Sequence, residues 1–235
     1  MSVSNVNWRL ALFSSFFLGL FLFLGTWQLQ RGEEKTQMLV EADRVAGLPG
    51  QMLGAGSLVK NGDPVRLEGQ FDPTRVFLLD NRVLQGKVGY EVVQLFESTD
   101  GLAALVNRGF VQGGRTRDIL PEIPAASSGR QMIRGHAYLT ELAVPPNNVA
   151  GTTSPWVIQV AVPAFLGKVA GEDLFDRVIR LEEAHPDALP RFWPVTTISP
   201  ERHMGYAVTW YLMAIAVIAA FIFSVRHNDS EATHE

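Results

Sequence analysis

Two long uncharged runs bracket a more polar middle section, and this pattern organises the chain. The first, Leu10–Trp27, is rich in leucine and phenylalanine, and the second, Tyr206–Val225, is followed directly by Arg226. A helix rises about 1.5 Å per residue, so about 20 apolar residues cross a hydrocarbon layer of about 30 Å. The pattern predicts one transmembrane helix over residues 10–27 and another over residues 206–225.

The first run has a competing interpretation as a cleaved signal peptide. Such a peptide usually has an apolar region of about 7 to 15 residues and ends in a small-residue cleavage site. This run is longer and ends in Leu24-Gly25-Thr26-Trp27-Gln28, which favours an uncleaved anchor. Residues continue at helical spacing as far as Ala42, so the first helix is predicted to extend beyond the membrane and to stop at Gly47.

Short charged flanks predict the orientation of both helices, because Lys and Arg near the ends of a span stay on the cytoplasmic side. Arg9 and Arg226 mark that side. Residues 1–9 and 226–235 are therefore predicted to be cytoplasmic, and residues 28–205 to form one periplasmic domain.

The opposite orientation, with both termini outside, stays open because Arg31 and Lys35 follow the first run closely. The compartment is inferred from the start of the chain. About ten residues precede the first run, which leaves no room for an Arg- and Ser-rich mitochondrial transit peptide. The expected location is therefore a bacterial inner membrane.

Alternation of apolar and polar residues marks the middle section as strand-rich. Val65 to Phe71 alternates with period two up to Asp72-Pro73, where the strand is expected to end. Two further apolar runs flank Thr99-Asp100-Gly101, and an Asp-Gly turn in this setting is a strong hairpin signal. The hairpin strands are Tyr90–Phe96 and Leu102–Val106, and the other predicted strands are Val76–Leu79, Gln131–Leu139, Trp156–Val160 and Arg177–Leu181.

The short predicted strands are closely spaced, and within this section a helix is predicted only for Ala164–Val169. Strands without long helical crossovers favour antiparallel pairing. The predicted fold class is a membrane protein in which two transmembrane α-helices flank a mainly antiparallel β (α+β) extramembrane domain, either a sandwich or a partly open barrel. Asn107 and Arg108 are expected to organise the end of the second hairpin strand, because Asn and Gly suit turns.

Composition narrows the classes of function. The chain has no cysteine, which excludes disulfides, thiolate metal ligands and a Cys nucleophile. Its formal net charge of −4 argues against binding to nucleic acid, which requires a basic surface. It contains no G-x-S-x-G elbow, no Gly-rich phosphate loop and no H-E-x-x-H pair. The sequence therefore predicts a protein that is not an enzyme and has no nucleic-acid partner.

The start of the second run combines a histidine with aromatic residues. His203, Tyr206, Ala207 and Trp210 are spaced i, i+3, i+4 and i+7, so they share a helix face near the membrane surface. Aromatic residues at this depth are also ordinary membrane anchors, and a histidine at a helix start can simply contact water or a neighbour. From the residues alone, a binding face and a simple anchor both stay open.

Four motifs in order along the chain resemble those of the Surfeit-locus (Surf-one) family of cytochrome c oxidase assembly factors. The resemblance covers nearly the whole chain, with small departures at Phe110, where a Trp is common, and at Arg202, where Asn is frequent. The motifs are Trp27-Gln28-Leu29-Gln30-Arg31 with Glu34-Lys35, Asp80-Asn81-Arg82 with Gly89-Tyr90-Glu91-Val92, Leu105-Val106-Asn107-Arg108-Gly109-Phe110-Val111, and His203-Met204-Gly205-Tyr206-Ala207-Val208-Thr209-Trp210-Tyr211.

The resemblance implies a protein that binds haem a and helps to insert it into oxidase subunit I. His203 is then the expected ligand of the haem iron, since neutral imidazole is a common axial ligand. An antiparallel helix pair is expected to place Trp27 near Tyr206 or Trp210. Arg31 would lie further out and meet a haem propionate, although pairing with Glu34 or with lipid phosphate stays open.

Two main hypotheses follow from the sequence, and a third, a membrane-bound oxidoreductase, is the least favoured. The first is a haem-handling assembly factor with haem a as transient cargo and with subunit I, haem a synthase and membrane lipid as partners. Its predicted cofactor-binding residues are His203, Tyr206, Trp210, Trp27 and Arg31, with His203 as the metal ligand. The second is a membrane-tethered interaction module that stabilises subunit I during assembly without binding haem.

Overall fold

The chain divides into a helical unit and a strand-rich unit. The computed structural model describes residues 8–54, 56–114, 116, 119–140 and 142–232. One unit, residues 1–42 with 194–235, is called the helix pair below, and the other, Asp43–Trp193, is called the β domain. The described helices are α1 (Trp8–Ala46), α2 (Pro163–Ala170) and α3 (Pro200–Ala232).

Both α1 and α3 are long and apolar enough to cross a membrane, which confirms the two predicted apolar helices. α1 runs on to Ala46 and stops before Gly47, as the sequence predicted. Large apolar side chains such as Phe16 and Phe223 project outward and are exposed. An outward face of this kind is stable against lipid and costly against water.

The two long helices contact each other along matching seams. On each helix the residues of the seam are alternately four and three positions apart. This repeat is typical of two α-helices that wind around each other in a left-handed supercoil. The least exposed positions at the centre of these seams are Phe21, Gly25, Gln28 and Gly32 on α1 and His203, Ala207, Trp210 and Ala214 on α3.

Strand β2 is longer than predicted and organises the β domain. The strands are β1 (Gln51–Met52), β2 (Pro64–Leu84), β3 (Lys87–Ser98), β4 (Ala103–Gln112), β5 (Gln131–Tyr138), β6 (Val149–Ala150), β7 (Trp156–Ile158) and β8 (Leu174–Leu181). The predicted strand end at Asp72-Pro73 is wrong. A break in the register between Phe71 and Val76 absorbs the proline, which has no N–H for the ladder, and β2 continues beyond it.

The strands close into a ring of hydrogen bonds, which is the barrel form of the two predicted alternatives. β2 pairs with β3, β3 with β4, β4 with β8, β8 with β5, and β5 again with β2. Residues Pro64–Gly69 of β2 contact β5, whereas residues Gly69–Leu84 contact β3. The hairpin of β3 and β4 is antiparallel around the turn Thr99-Asp100-Gly101, as predicted.

Parallel pairing appears where the sequence favoured antiparallel strands. β8 lies parallel to β4, and β7 lies parallel to β2. Parallel neighbours need a long connection, and the chain between β4 and β8 supplies one that includes α2. A core of apolar residues fills the ring, among them Leu67, Phe96, Ile133 and Ile179, which are fully buried.

Candidate functional site

His203 is held inside the helix pair by a single side-chain hydrogen bond. The residue lies in the first turn of α3 and is only 7% exposed. Its Nδ1 is 2.7 Å from Oε1 of Gln28 on α1. An amide oxygen can only accept a hydrogen bond, so Nδ1 carries the proton. In the neutral imidazole Nε2 then keeps its lone pair.

The second ring nitrogen of His203 is a buried polar atom with no partner among the described residues. Leaving a buried acceptor unsatisfied costs about 1–3 kcal/mol, so such atoms are uncommon in folded proteins. Common reasons are a ligand or a reactive role. The lone pair of Nε2 is therefore the feature of the helix pair best suited to bind a metal centre.

Small residues on α1 allow the close approach that brings Gln28 to His203. A Cβ atom on Gly25 would be 2.8 Å from Cε1 of Tyr211, and a Cβ on Gly32 would be 3.4 Å from Cβ of His203. The Tyr211 hydroxyl lies 3.2 Å from Oγ1 of Thr26. Gly25 and Tyr211 thus fix the separation of the helices just beside the Gln28–His203 bond.

The aromatic residues of the predicted binding face do not all lie between the two helices. Trp210 lies in the seam, but Tyr206 is 52% exposed and projects away from it. The ring of α1 that lies against Trp210 is Phe21, with ring centroids 5.8 Å apart, and Trp27 is 44% exposed. No ring contact joins Trp27 to Tyr206 or Trp210 among the described residues, so the prediction that Trp27 lies near one of them stays a prediction.

Arg31 makes the alternative contact that the sequence left open. Its Nη1 is 2.5 Å from Oε2 of Glu34, one turn further along α1, and both side chains are exposed. Gln28 lies in the Trp27–Arg31 motif but was not among the predicted cofactor-binding residues. Its signal was the spacing of Gly25, Gln28 and Gly32, which continues the four-and-three repeat of α1.

A second polar site lies in the β domain and contains the Asn107-Arg108-Gly109 segment. The prediction that Asn107 and Arg108 organise the end of a strand is wrong. Both residues lie inside β4, at a bulge opposite Val92 and Val93. The bulge leaves Arg108 without a register partner and turns it inward, where it is 1% exposed.

Arg108 makes its hydrogen bonds to neutral acceptors. Its Nη1 donates to Oε1 of Gln94 at 2.9 Å, and its Nε donates to the Asp187 carbonyl at 3.1 Å. Burial lowers the pKa of Arg108 from its ordinary value, and the negative charge of Asp187 opposes this shift. The guanidinium nevertheless stays protonated at neutral pH.

Other motif residues meet beside Arg108. Asn107 donates to Oε2 of Glu91 at 2.7 Å, and the indole N–H of Trp193 donates to Oε1 of the same carboxylate at 2.8 Å. Arg82 Nε lies 3.9 Å from Glu91. Two of the four sequence motifs therefore meet at Glu91 in the β domain, the second through Arg82 and Glu91 itself and the third through Asn107.

We expect the β domain to lose stability in acid because of Asp187. Burial would raise the pKa of this carboxyl, but hydrogen bonds from Ser127 outweigh it and lower the pKa below the ordinary 3.8. Folding therefore favours the ionised form, and its stabilisation is present above about pH 4 and lost as the pH falls through the lowered value. Burial would also raise the pKa of Asp72, but hydrogen bonds from Thr74 and Arg75 lower it. Both carboxyls therefore contribute to the loss of stability as the pH falls.

Urea unfolding of the purified protein between about pH 2 and pH 7, followed by tryptophan fluorescence, measures this dependence. The Asp187→Asn variant should be less stable at neutral pH and should show a shallower decline below about pH 4. An unchanged acid slope in the variant would contradict a role for Asp187.

Sequence similarity to known proteins covers most of this chain. The model of the SURF1 family matches residues 15–215. A SURF1-like protein of Rickettsia conorii is 27% identical over 216 residues, covering 86% of this chain and 85% of the relative. The matched region includes both seams of the helix pair and the complete β domain.

Proposed function

Because the chain belongs to the SURF1 family, whose members are cytochrome c oxidase assembly factors, we propose that it binds haem a and assists its insertion into oxidase subunit I. In this proposal the protein lies in a bacterial inner membrane with its β domain in the periplasm. Its partners are subunit I, haem a synthase as the source of the haem, and membrane lipid. No catalytic step is required.

The observation that carries the proposal is the unpartnered Nε2 of His203. Histidine nitrogen is a common axial ligand of haem iron, and the other ring nitrogen of such a histidine is usually held by a hydrogen bond. Gln28 supplies that bond at 2.7 Å and fixes both the tautomer and the ring plane. The residues present therefore fit a haem ligand.

The burial of Nε2 supports a binding mode in which the site opens for its cargo. The atom has almost no contact with solvent, so a haem iron reaches it only when neighbouring side chains move aside. The porphyrin would then lie against apolar surface of the helix pair, which carries Trp210 in the seam and Tyr206 and Trp27 at exposed positions. A site that must open for its ligand suits transient binding and release.

Arg31 has a conditional role in this proposal. A haem propionate near α1 would have to exchange with Glu34 for the guanidinium. Both side chains are exposed, and an exposed ion pair contributes only about 0–1 kcal/mol, so the exchange costs little. Arg31 would then orient the haem, whereas His203 would provide the bond to iron.

The proposal is tested by the absorption spectrum of the full-length protein purified from cells that make haem a. We expect haem to co-purify with the wild type and to be lost from His203→Ala. Gln28→Leu should weaken haem retention by about 10- to 100-fold, because the ring of His203 loses its support. His136→Gln, in β5, is the matched control and should retain haem fully.

Haem content and spectrum unchanged in His203→Ala would remove His203 as the ligand. The protein would then be better described as an interaction module that stabilises subunit I, and co-purification of subunit I with the variant would be the next measurement. Thermal unfolding of each variant in detergent controls for loss of folded protein.

A further inference from the structure

The β domain contains a cleft whose chemistry the haem proposal does not use. The cleft has a volume of about 650 Å³. Apolar side chains such as Phe71 and Ile123 line it together with Ser127, Ser154 and Gln94, and Arg108 also contributes to the lining. Pockets of about 300–1,000 Å³ with apolar walls and a few polar groups are typical of small-ligand sites.

Arg108 brings a positive charge to this cleft, and no carboxylate among the described residues forms a direct ion pair with it. Its hydrogen bonds go to an amide oxygen and a backbone carbonyl, and within the described residues no ion pair includes it. The negative charge of Asp187 acts on Arg108 without a direct ion pair: Ser127 donates to its Oδ1, and its Oδ2 is buried with no hydrogen-bond partner among the described residues. Burying a charged group without a partner is costly, so the site favours an anion that would complete it.

The geometry of the guanidinium narrows the class of anion. Nε and Nη1 are occupied, whereas Nη2 makes no hydrogen bond within the part of the chain described by the structure. Gln94 is itself fixed, since its Nε2 donates to the Asp72 carbonyl at 2.9 Å, so Arg108 is held in place. A fixed guanidinium in a partly apolar cleft suits a carboxylate on an apolar body.

We propose that this cleft binds a ligand with a carboxylate group, which pairs with Arg108, and an apolar portion, which packs against Phe71 and Ile123. The carboxylate has two possible sources, a free small acid or the C-terminus of a peptide. The site is independent of His203 and of haem, so this proposal and the proposed function stand or fall separately.

Calorimetric titration of the full-length protein in lipid nanodiscs tests the proposal. The free-acid arm compares 4-phenylbutyrate with 4-phenylbutyramide, and the peptide arm compares acetyl-Pro-Phe with its C-terminal amide. We expect the acid of at least one arm to bind about tenfold or more tightly than its amide, since only the acid forms a charge-assisted bond. The arm that binds identifies the source.

Two variants locate the bound carboxylate. Arg108→Met should abolish the preference for acid over amide. Ala125→Trp, at an exposed position on the cleft wall, should block binding without removing a buried charge. Ile119→Trp adds the same ring at an exposed position outside the cleft lining and should leave binding unchanged.

Thermal unfolding of each variant reports whether it is folded. If Arg108→Met does not fold, Ala125→Trp still tests the proposal. Equal binding of acid and amide would overturn the proposal, as would no binding of either acid to the wild type. Acid binding that survives in folded Ala125→Trp would place the ligand elsewhere and would also overturn it.

Discussion

Replacing Gly109 with alanine is expected to unfold the β domain or to leave it marginally stable. Gly109 has a φ of 119°, which L side chains rarely adopt, and a Cβ there would overlap the Leu189 carbonyl oxygen and lie 2.9 Å from Pro190 O. The strained backbone costs about 1–3 kcal/mol, and the overlap adds to it. The expected loss is therefore roughly 3 kcal/mol or more, a large part of a typical stability of about 5–15 kcal/mol.

The backbone around Gly109 has little freedom to relieve that overlap. Arg108 accepts a hydrogen bond from the Leu189 N–H at 2.6 Å, and Phe110 donates one to Pro190 O at 2.7 Å. Moving the 189–190 segment away would break both bonds and disturb the bulge that turns Arg108 inward. Urea unfolding of the purified protein, followed by tryptophan fluorescence, measures the loss.

Gly86→Ala is the matched control for Gly109→Ala. Gly86 also has a positive φ, 79°, but a Cβ there would meet no atom within 4 Å. We expect a cost of about 1 kcal/mol from the backbone alone. Equal losses in the two variants would show that the contact with Leu189 and Pro190 does not constrain β4.

Replacing Gly25 with leucine is expected to force the two long helices apart. Even a Cβ atom at this position would lie 2.8 Å from Cε1 and 2.9 Å from Cζ of the Tyr211 ring. Overpacking of this kind costs about 1–3 kcal/mol. Since Gly25 precedes Gln28 by less than one turn, the separation should also break the Gln28–His203 bond and reduce haem retention as strongly as Gln28→Leu.

Spin labels measure the separation directly, because the chain has no cysteine of its own. Labels on cysteines at the exposed positions Phe13 and Phe223 should give a longer and broader distance distribution in Gly25→Leu than in the parent protein. Gly19→Leu is the matched control, since a Cβ at Gly19 meets no atom within 4 Å. An unchanged distribution in Gly25→Leu would contradict close packing at this point.

The features that could be predicted from the sequence depend on local signals. The two apolar helices, the stop before Gly47 and the hairpin around Asp100-Gly101 each follow from a run, a breaker or a turn within a few residues. Pro73 misled the strand prediction because β2 bulges around it, with residues 72–75 opposite a single residue of β3, and the ladder resumes at Val76 only because β3 continues as the partner. That information lies in β3, about 20 residues further along the chain.

The candidate sites show the same limit. His203 could be selected from its place at the start of an apolar helix, but its partner Gln28 is 175 positions away in the chain. Arg108 appeared to belong to a turn because Asn and Gly surround it. In the structure those same residues build a bulge inside β4, and only the assembled ring makes Arg108 a buried cation.

Along its length β2 pairs first with β5 and then with β3, and this division sets the order in which the β domain can assemble. Residues 69–84 pair with β3, which follows immediately, so this hairpin can form early and locally. Residues 64–69 wait for β5, which is synthesised much later, and β5 then exposes its own edge until β8 pairs with it. During this time the first part of β2, and after it β5, is an open strand edge able to pair with other chains. The newly made domain therefore has an interval in which it is prone to aggregation, and that interval ends only when the strand at 174–181 has joined the ring.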